Sequence, residues 1–283
     1  MAPRAKGDDG AAEREASGYV SVDGVCLNYC LDGPQDAPPL VFSNSLGTDL
    51  RMWEPQLATL AARFRLIRYD SRGHGRSDAP TGPYSLDRLE RDLLVLLDTL
   101  GIERAHLCGL SLGGMVAQWV AIHHPKRVQR LVLANTAARI GSEASWAERI
   151  QAVQAGGMGA VRDVVVDRFL SAAFRGSHPE VTQWVASMVE ATSPQGYIAT
   201  CTALRDADLR PLMGRIQAPT LILSGARDQS TPSEQSRELH ASITGSRLLI
   251  FDDAAHLSNV EQPEAFNAAV AQFLGDSSSD ATR

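Results

Sequence analysis

The chain reads as an α/β fold: a mostly parallel, twisted sheet with helices on both faces and a helical cap inserted late in the sheet. Three observations predict it. Short apolar runs alternate with amphipathic helical stretches from residue 20 to residue 135, the signature of strands joined by helical crossovers. The alternation stops over residues 136–215, where the spacing is helical and the only apolar run is Val164-Val165-Val166. It then resumes and continues to residue 274. The expected division is therefore a core of residues 19–135 and 216–274 with a helical cap over 136–215.

Residues 20–31 form a strand pair around the Asp23-Gly24 turn, a dipeptide suited to a tight hairpin. Strands follow at 39–43 and 64–69, separated by a helix over 52–63. Ser85 caps a helix running to residue 100, in which Leu86, Leu89, Leu93, Leu96, Leu97 and Leu100 share one face. A strand at 105–108, a helix over 112–123 and a strand at 128–134 complete the first half. Beyond the cap come a strand at 219–224, a helix over 233–243, a strand at 248–251 and a last helix over 263–274.

With 283 residues, 44% hydrophobic and 21% charged, the chain has ordinary globular composition and enough length for a dry core. A net charge of -6 gives no electrostatic footprint for nucleic acid. Cys26, Cys30, Cys108 and Cys201 form no C-x-x-C pair and read as buried thiols, which fits the cytoplasm. Residues 1–18 are polar with no apolar centre, so they read as a disordered leader rather than a signal peptide. Residues 275–283 read as a frayed tail. No apolar run is long enough to span a bilayer.

The chemistry centres on Gly109-Leu110-Ser111-Leu112-Gly113, placed between a strand and a helix. That context makes it a nucleophile elbow, a tight turn holding the serine hydroxyl clear of the sheet. A serine hydroxyl needs a base, and the base an orienting carboxylate. Of seven histidines, only His256 lies in a loop directly after a late strand, where an open α/β sheet places its site. Asp228 follows the preceding strand in Gly225-Ala226-Arg227-Asp228 and is the expected acid; the earlier strand ends at Asn135, an amide. Two backbone N–H groups should hold the oxyanion: that of Leu112, at a helix N-terminus, and that of Leu46, in the loop after the strand 39–43. Arg72-Gly73-His74-Gly75 reads as scaffold. No metal-ligand spacing is present, and Gly109-x-x-x-Gly113-Gly114 lacks the lysine of a phosphate-binding loop, so neither metal nor cofactor is expected.

On these motifs the chain resembles the α/β-hydrolase superfamily over about residues 19–274. Within it the chain is most similar to the 3-oxoadipate enol-lactonases of the β-ketoadipate pathway of aromatic-compound catabolism. The narrower resemblance rests on Ser43-Asn44-Ser45-Leu46-Gly47-Thr48 with Met52-Trp53, on Leu133-Ala134-Asn135-Thr136-Ala137-Ala138-Arg139-Ile140-Gly141, and on His256-Leu257-Ser258-Asn259. It departs from most of the superfamily in carrying Asn44-Ser45 where His-Gly is usual. The resemblance implies hydrolysis of 3-oxoadipate enol-lactone, a small anionic lactone, through an acyl-serine intermediate. A free carboxylate on the substrate needs a cation. Arg139, at the core-to-cap crossing, is the expected partner, with Trp146 as a pocket wall. Two other readings fit the same residues: a broad carboxylesterase or cofactor-free perhydrolase, and a ligand-binding receptor on a hydrolase fold. Oligomeric state is not legible.

Overall fold

A computed structural model describes residues 16–275. The first strand, β1 (Ala16–Val22), forms a hairpin with β2 (Val25–Asp32). Its turn sets Asp23 at φ 51° and Gly24 at φ 82°, the two positive values a two-residue hairpin turn demands. Then come β3 (Pro39–Ser43), α1 (Glu54–Leu60), β4 (Arg65–Tyr69), α2 (Leu86–Thr99), β5 (Ala105–Leu110), α3 (Leu112–His123) and β6 (Val128–Ala134). Ser85 caps α2 by accepting from the Arg88 N–H, and its leucine face is buried.

Five helices follow without a strand: α4 (Glu143–Gly156), α5 (Gly159–Phe169), α6 (Ala172–Ser177), α7 (Pro179–Ala191) and α8 (Pro194–Asp206). The valine run at 164–166 lies within α5. The chain then forms β7 (Thr220–Gly225), α9 (Ser233–Ser242), β8 (Arg247–Phe251), α10 (Ser258–Glu261) and α11 (Pro263–Gly275).

The eight strands make one sheet in the order β1-β2-β4-β3-β5-β6-β7-β8. Pairing is antiparallel at β1–β2 and β2–β4, and parallel from β4 to β8. Strands β5 and β7 are buried along their whole length, as befits a parallel sheet covered on both faces. Helices α4–α8 attach to the core through main-chain contacts: Tyr84 N–H to Ala199 O at 3.1 Å, Leu257 N–H to Phe169 O at 2.9 Å, and Leu209 N–H to Ala138 O at 2.8 Å. Gly73 and Gly196 also meet backbone to backbone; a Cβ on Gly73 would lie 2.7 Å from the Gly196 Cα.

Three details differ from expectation. Residues 16–18, placed in the leader, belong to β1: Ala16, Ser17 and Gly18 pair with Leu31, Cys30 and Tyr29. Their small side chains carry no apolar pattern, and Gly18 serves by having none; a Cβ there would stand 2.7 Å from the Tyr29 hydroxyl. Gly275 closes α11 instead of opening the tail. The remainder of the expected leader and tail, residues 1–15 and 276–283, lies outside the described residues. Cys26 is exposed, whereas Cys30, Cys108 and Cys201 are buried. Among the described residues no helix is long and apolar enough to cross a membrane.

Candidate active site

Register brings the candidate residues to one edge of the sheet. Leu110 pairs with Ala134, Ala134 with Leu223, and Gly225 with Phe251. Ser111, Asn135, Asp228 and His256 therefore all follow the C-terminal ends of neighbouring parallel strands. Ser111 has φ 56° and ψ -114°, outside the regions open to an L-residue at low cost; such backbone strain amounts to about 1–3 kcal/mol and is held by its surroundings. The surroundings are visible. The Ser111 N–H donates to Ala134 O at 3.0 Å, and its carbonyl accepts from the Met115 N–H and from Thr136 Oγ1 at 2.7 Å. The flanking glycines are there for close approach: a Cβ on Gly109 would lie 2.2 Å from Gly113 O, and one on Gly113 2.0 Å from Ser43 O.

Asp228 and His256 meet directly, His256 Nδ1 lying 2.8 Å from Asp228 Oδ2 with both side chains buried. Oδ2 also accepts from Thr231 Oγ1 at 2.7 Å and Asn135 Nδ2 at 3.0 Å. Oδ1 accepts from the Ser230 and Thr231 N–H groups at 2.8 and 3.0 Å. Burial acts to raise the pKa of this carboxyl, but the His256 charge and the donated hydrogen bonds outweigh it and hold the group below the ordinary carboxylate value. A carboxylate facing Nδ1 keeps the Nδ1–H tautomer, which leaves Nε2 as the basic nitrogen. On its other side the imidazole stacks on Phe169, centroids 5.5 Å apart.

Ser111 connects to this pair through residues 135 and 136. Thr136 holds the Ser111 carbonyl. Asn135, at φ 44°, donates to Asp228 and to Ala255 O at 3.0 Å and accepts from Ser258 Oγ at 2.5 Å. Asn is among the few residues with a side chain that tolerate that backbone region.

The Leu46 and Leu112 N–H groups donate to no other group among the described residues, and the Gly113 N–H to Asn44 O bond at 3.0 Å sets the Leu46 loop against the start of α3. Asn44, where histidine is usual, works as a brace: its Nδ2 donates to Tyr69 O and its Oδ1 accepts from Trp53 Nε1, both at 2.8 Å. His74 lies in the scaffold turn, with Nδ1 3.1 Å from Arg72 O. Burial pushes its pKa down to about 4, so the ring stays neutral.

Arg139 is not brought to the triad. Its guanidinium donates to Asp208 at 3.3 Å, a carboxylate that Arg210 also holds. Both arginines line a cavity of about 580 Å³ whose walls include none of Ser111, Asp228 and His256. Trp146 is buried, its Nε1 donating to Ile140 O at 2.6 Å. Sequence reasoning missed Thr231, Phe169 and Glu261. The Glu261 carboxylate accepts from Ser171 Oγ and N–H at 2.6 and 3.1 Å and from the Ala255 N–H at 2.8 Å, tying the histidine loop to the start of α6. Its only local signal was its place at the end of α10, two residues before Pro263 opens α11.

An open α/β sheet with a strained serine at the strand–helix elbow and a buried Asp–His pair beyond later strands defines a hydrolase, and residues 38–263 match the α/β hydrolase fold family, to which the chain belongs. Among known proteins it is similar to 3-oxoadipate enol-lactonase 2 of Acinetobacter baylyi, with 41% identity over 251 residues, covering 89% of this chain and 94% of the relative. It is 40% identical to 3-oxoadipate enol-lactonase 1 of the same organism over the same shares of each chain. Among solved structures, the enol-lactonase from Burkholderia xenovorans superposes with a TM-score of 0.90 at 43% identity, covering 92% of this chain and 100% of that one.

Proposed function

We propose that the protein hydrolyses 3-oxoadipate enol-lactone to 3-oxoadipate, with Ser111 as nucleophile, His256 as general base and Asp228 as its orienting acid. The observation that carries the reading is the buried Asp228–His256 pair at 2.8 Å, on the same sheet edge as a serine held at positive φ. The similarity to named enol-lactonases over nine-tenths of the chain supports the substrate.

In this mechanism His256 Nε2 takes the Ser111 proton as Oγ attacks the lactone carbonyl. The Leu46 and Leu112 N–H groups receive the oxyanion, at the N-terminus of α3, where the helix dipole favours negative charge. The ring C–O bond breaks and the ring oxygen departs as an enolate, a better leaving group than an alkoxide, so acylation leans less on general-acid help; the enolate takes the proton held on His256 Nε2 to become the enol, which leaves His256 neutral for deacylation. Tautomerisation of the enol to the ketone draws the reaction forward. A water deprotonated by His256 then cleaves the acyl-serine, and Ser111 recovers its proton. The pathway is the catabolism of aromatic compounds through β-ketoadipate.

The test is loss of the enol-lactone's ultraviolet absorbance with wild type and Ser111→Ala. Wild type should turn the lactone over, and the variant should lose about three or more orders of magnitude in kcat. An alanine variant retaining near-full activity would refute the acyl-serine route.

A further inference from the structure

Most arginines between residues 136 and 215 are ion-paired: Arg162 with Asp163 and Glu190, Arg175 with Asp167, Arg205 with Asp206, while Arg139 and Arg210 share Asp208. Arg149, on α4, has no carboxylate within ion-pair distance among the described residues. Its guanidinium instead lies over the Trp146 ring, 5.3 Å from the centroid, and donates to the Tyr197 hydroxyl at 3.4 Å. Tyr197 is fully buried. Its ring packs on the loop that carries the Leu46 N–H: a Cβ on Gly47 would stand 3.2 Å from Tyr197 Cε2. The hydroxyl accepts from Arg149, and its own proton has no acceptor among the described residues. Burial pushes its pKa up to about 12, so that proton stays available for donation.

A second unpaired cation stands close by. Arg168 directly precedes Phe169, whose ring stacks on His256. Arg168 is exposed, and burial and then the Arg149 charge hold it below the usual arginine value. Positive charge, a buried hydroxyl donor and an aromatic platform thus gather beside the Leu46 loop, joined to it through the Tyr197 ring on Gly47.

The geometry points to Arg149 and Tyr197, backed by Arg168 and Trp146, as the subsite that receives the free carboxylate of the substrate. A carboxylate there accepts from the Arg149 guanidinium and the Tyr197 hydroxyl in charge-assisted hydrogen bonds. It also offsets the repulsion between Arg149 and Arg168. Arg139 does not compete for this task, because it lines a separate cavity whose walls include none of Ser111, Asp228 and His256. The proposal rests on the enol-lactone reading for the identity of its anion, but the subsite itself requires only a carboxylate on a short aliphatic arm.

The test uses the full chain and two probes that separate the two claims. The first is turnover of 3-oxoadipate enol-lactone against a neutral five-membered enol-lactone with a methyl group in place of the acetate arm. Arg149→Met should lower the preference for the anionic lactone by about ten- to hundredfold, mainly through KM, and Arg149→Lys should recover part of it. A preference within twofold of wild type in Arg149→Met, or an equal fall in Arg139→Met, overturns the assignment. The second probe is adipate binding by calorimetry to Ser111→Ala and to Ser111→Ala with Arg149→Met. A loss of about tenfold or more in adipate affinity supports the subsite even where the lactone is not turned over, in which case the substrate reading alone falls. Equal adipate binding to the two proteins overturns the subsite even where the lactone is hydrolysed.

Discussion

Replacing Asp228 by asparagine tests how the site keeps its base oriented. Five donors converge on this carboxylate: His256 Nδ1, Thr231 Oγ1 and Asn135 Nδ2 on Oδ2, and the Ser230 and Thr231 N–H groups on Oδ1. An ionised carboxylate accepts all five, whereas an amide has one accepting oxygen and one donating NH₂. If the NH₂ faces the loop, it confronts two backbone N–H groups that cannot move without unwinding the turn. If it faces His256, the imidazole must present an unprotonated Nδ1, which moves the ring proton to Nε2 and removes the base. The second arrangement is the easier one, since a tautomer change in His256 and a rotated Thr231 hydroxyl accommodate it and only Asn135 Nδ2 is left opposed. The expected loss in kcat is about 10⁴-fold, or ~5.5 kcal/mol of transition-state stabilisation. The buried mismatches should cost only about 1–3 kcal/mol of folding stability. Steady-state turnover of the enol-lactone and urea unfolding, run on the same preparation, separate the two quantities. A folded Asp228→Asn protein with kcat within about tenfold of wild type would refute the argument, because it would mean the five-donor cradle does not set the tautomer.

Half-buried Glu261 and buried Glu90 give two further outcomes. Glu261→Ala frees the Ala255 N–H and both Ser171 donors; urea unfolding should show a loss of about 2–4 kcal/mol, kcat should fall because the histidine loop loses its anchor to α6, and Glu261→Gln, which can still accept from the Ala255 N–H, should restore most of both. Unchanged unfolding in the alanine variant would contradict the anchoring role. Glu90, on α2, has its pKa raised from 4.5 to about 7, by burial first and then by Asp87. Its raised value means that the folded state favours the protonated form, so its contribution to stability is present below the unfolded value and is lost as pH rises toward 7. Glu90→Gln removes that loss, so the Tm difference, variant minus wild type, should grow between pH 4.5 and 7 and level off above; a difference that is constant or shrinks across that window would show that Glu90 titrates normally.

Much of the fold was legible because it depends on short-range patterns. The leucine face of α2 and its Ser85 cap, the strand before Ser111 and the run of helices between β6 and β7 are all written in apolar spacing and turn residues. Residues 16–18 were not legible, because Ala16, Ser17 and Gly18 gain their strand conformation only by pairing with Leu31, Cys30 and Tyr29. The site divides in the same way. Ser111, Asp228 and His256 could be nominated one at a time, each by its place after a strand. Their supports could not: Thr231 and Glu261 matter through contacts with Asp228 and with the Ala255–Ser171 junction.

Arg139 shows the boundary most plainly. Its position at the crossing between core and inserted helices is readable from the chain, yet its guanidinium donates to a carboxylate 69 residues away, Asp208, which Arg210 also holds. Local sequence by itself determined which residue types could do chemistry here and which strand ends would carry them, because propensity and periodicity act over a few residues. Only the tertiary structure decided which charges are paired, because an arginine's partner is set by where helices from distant parts of the chain come to rest.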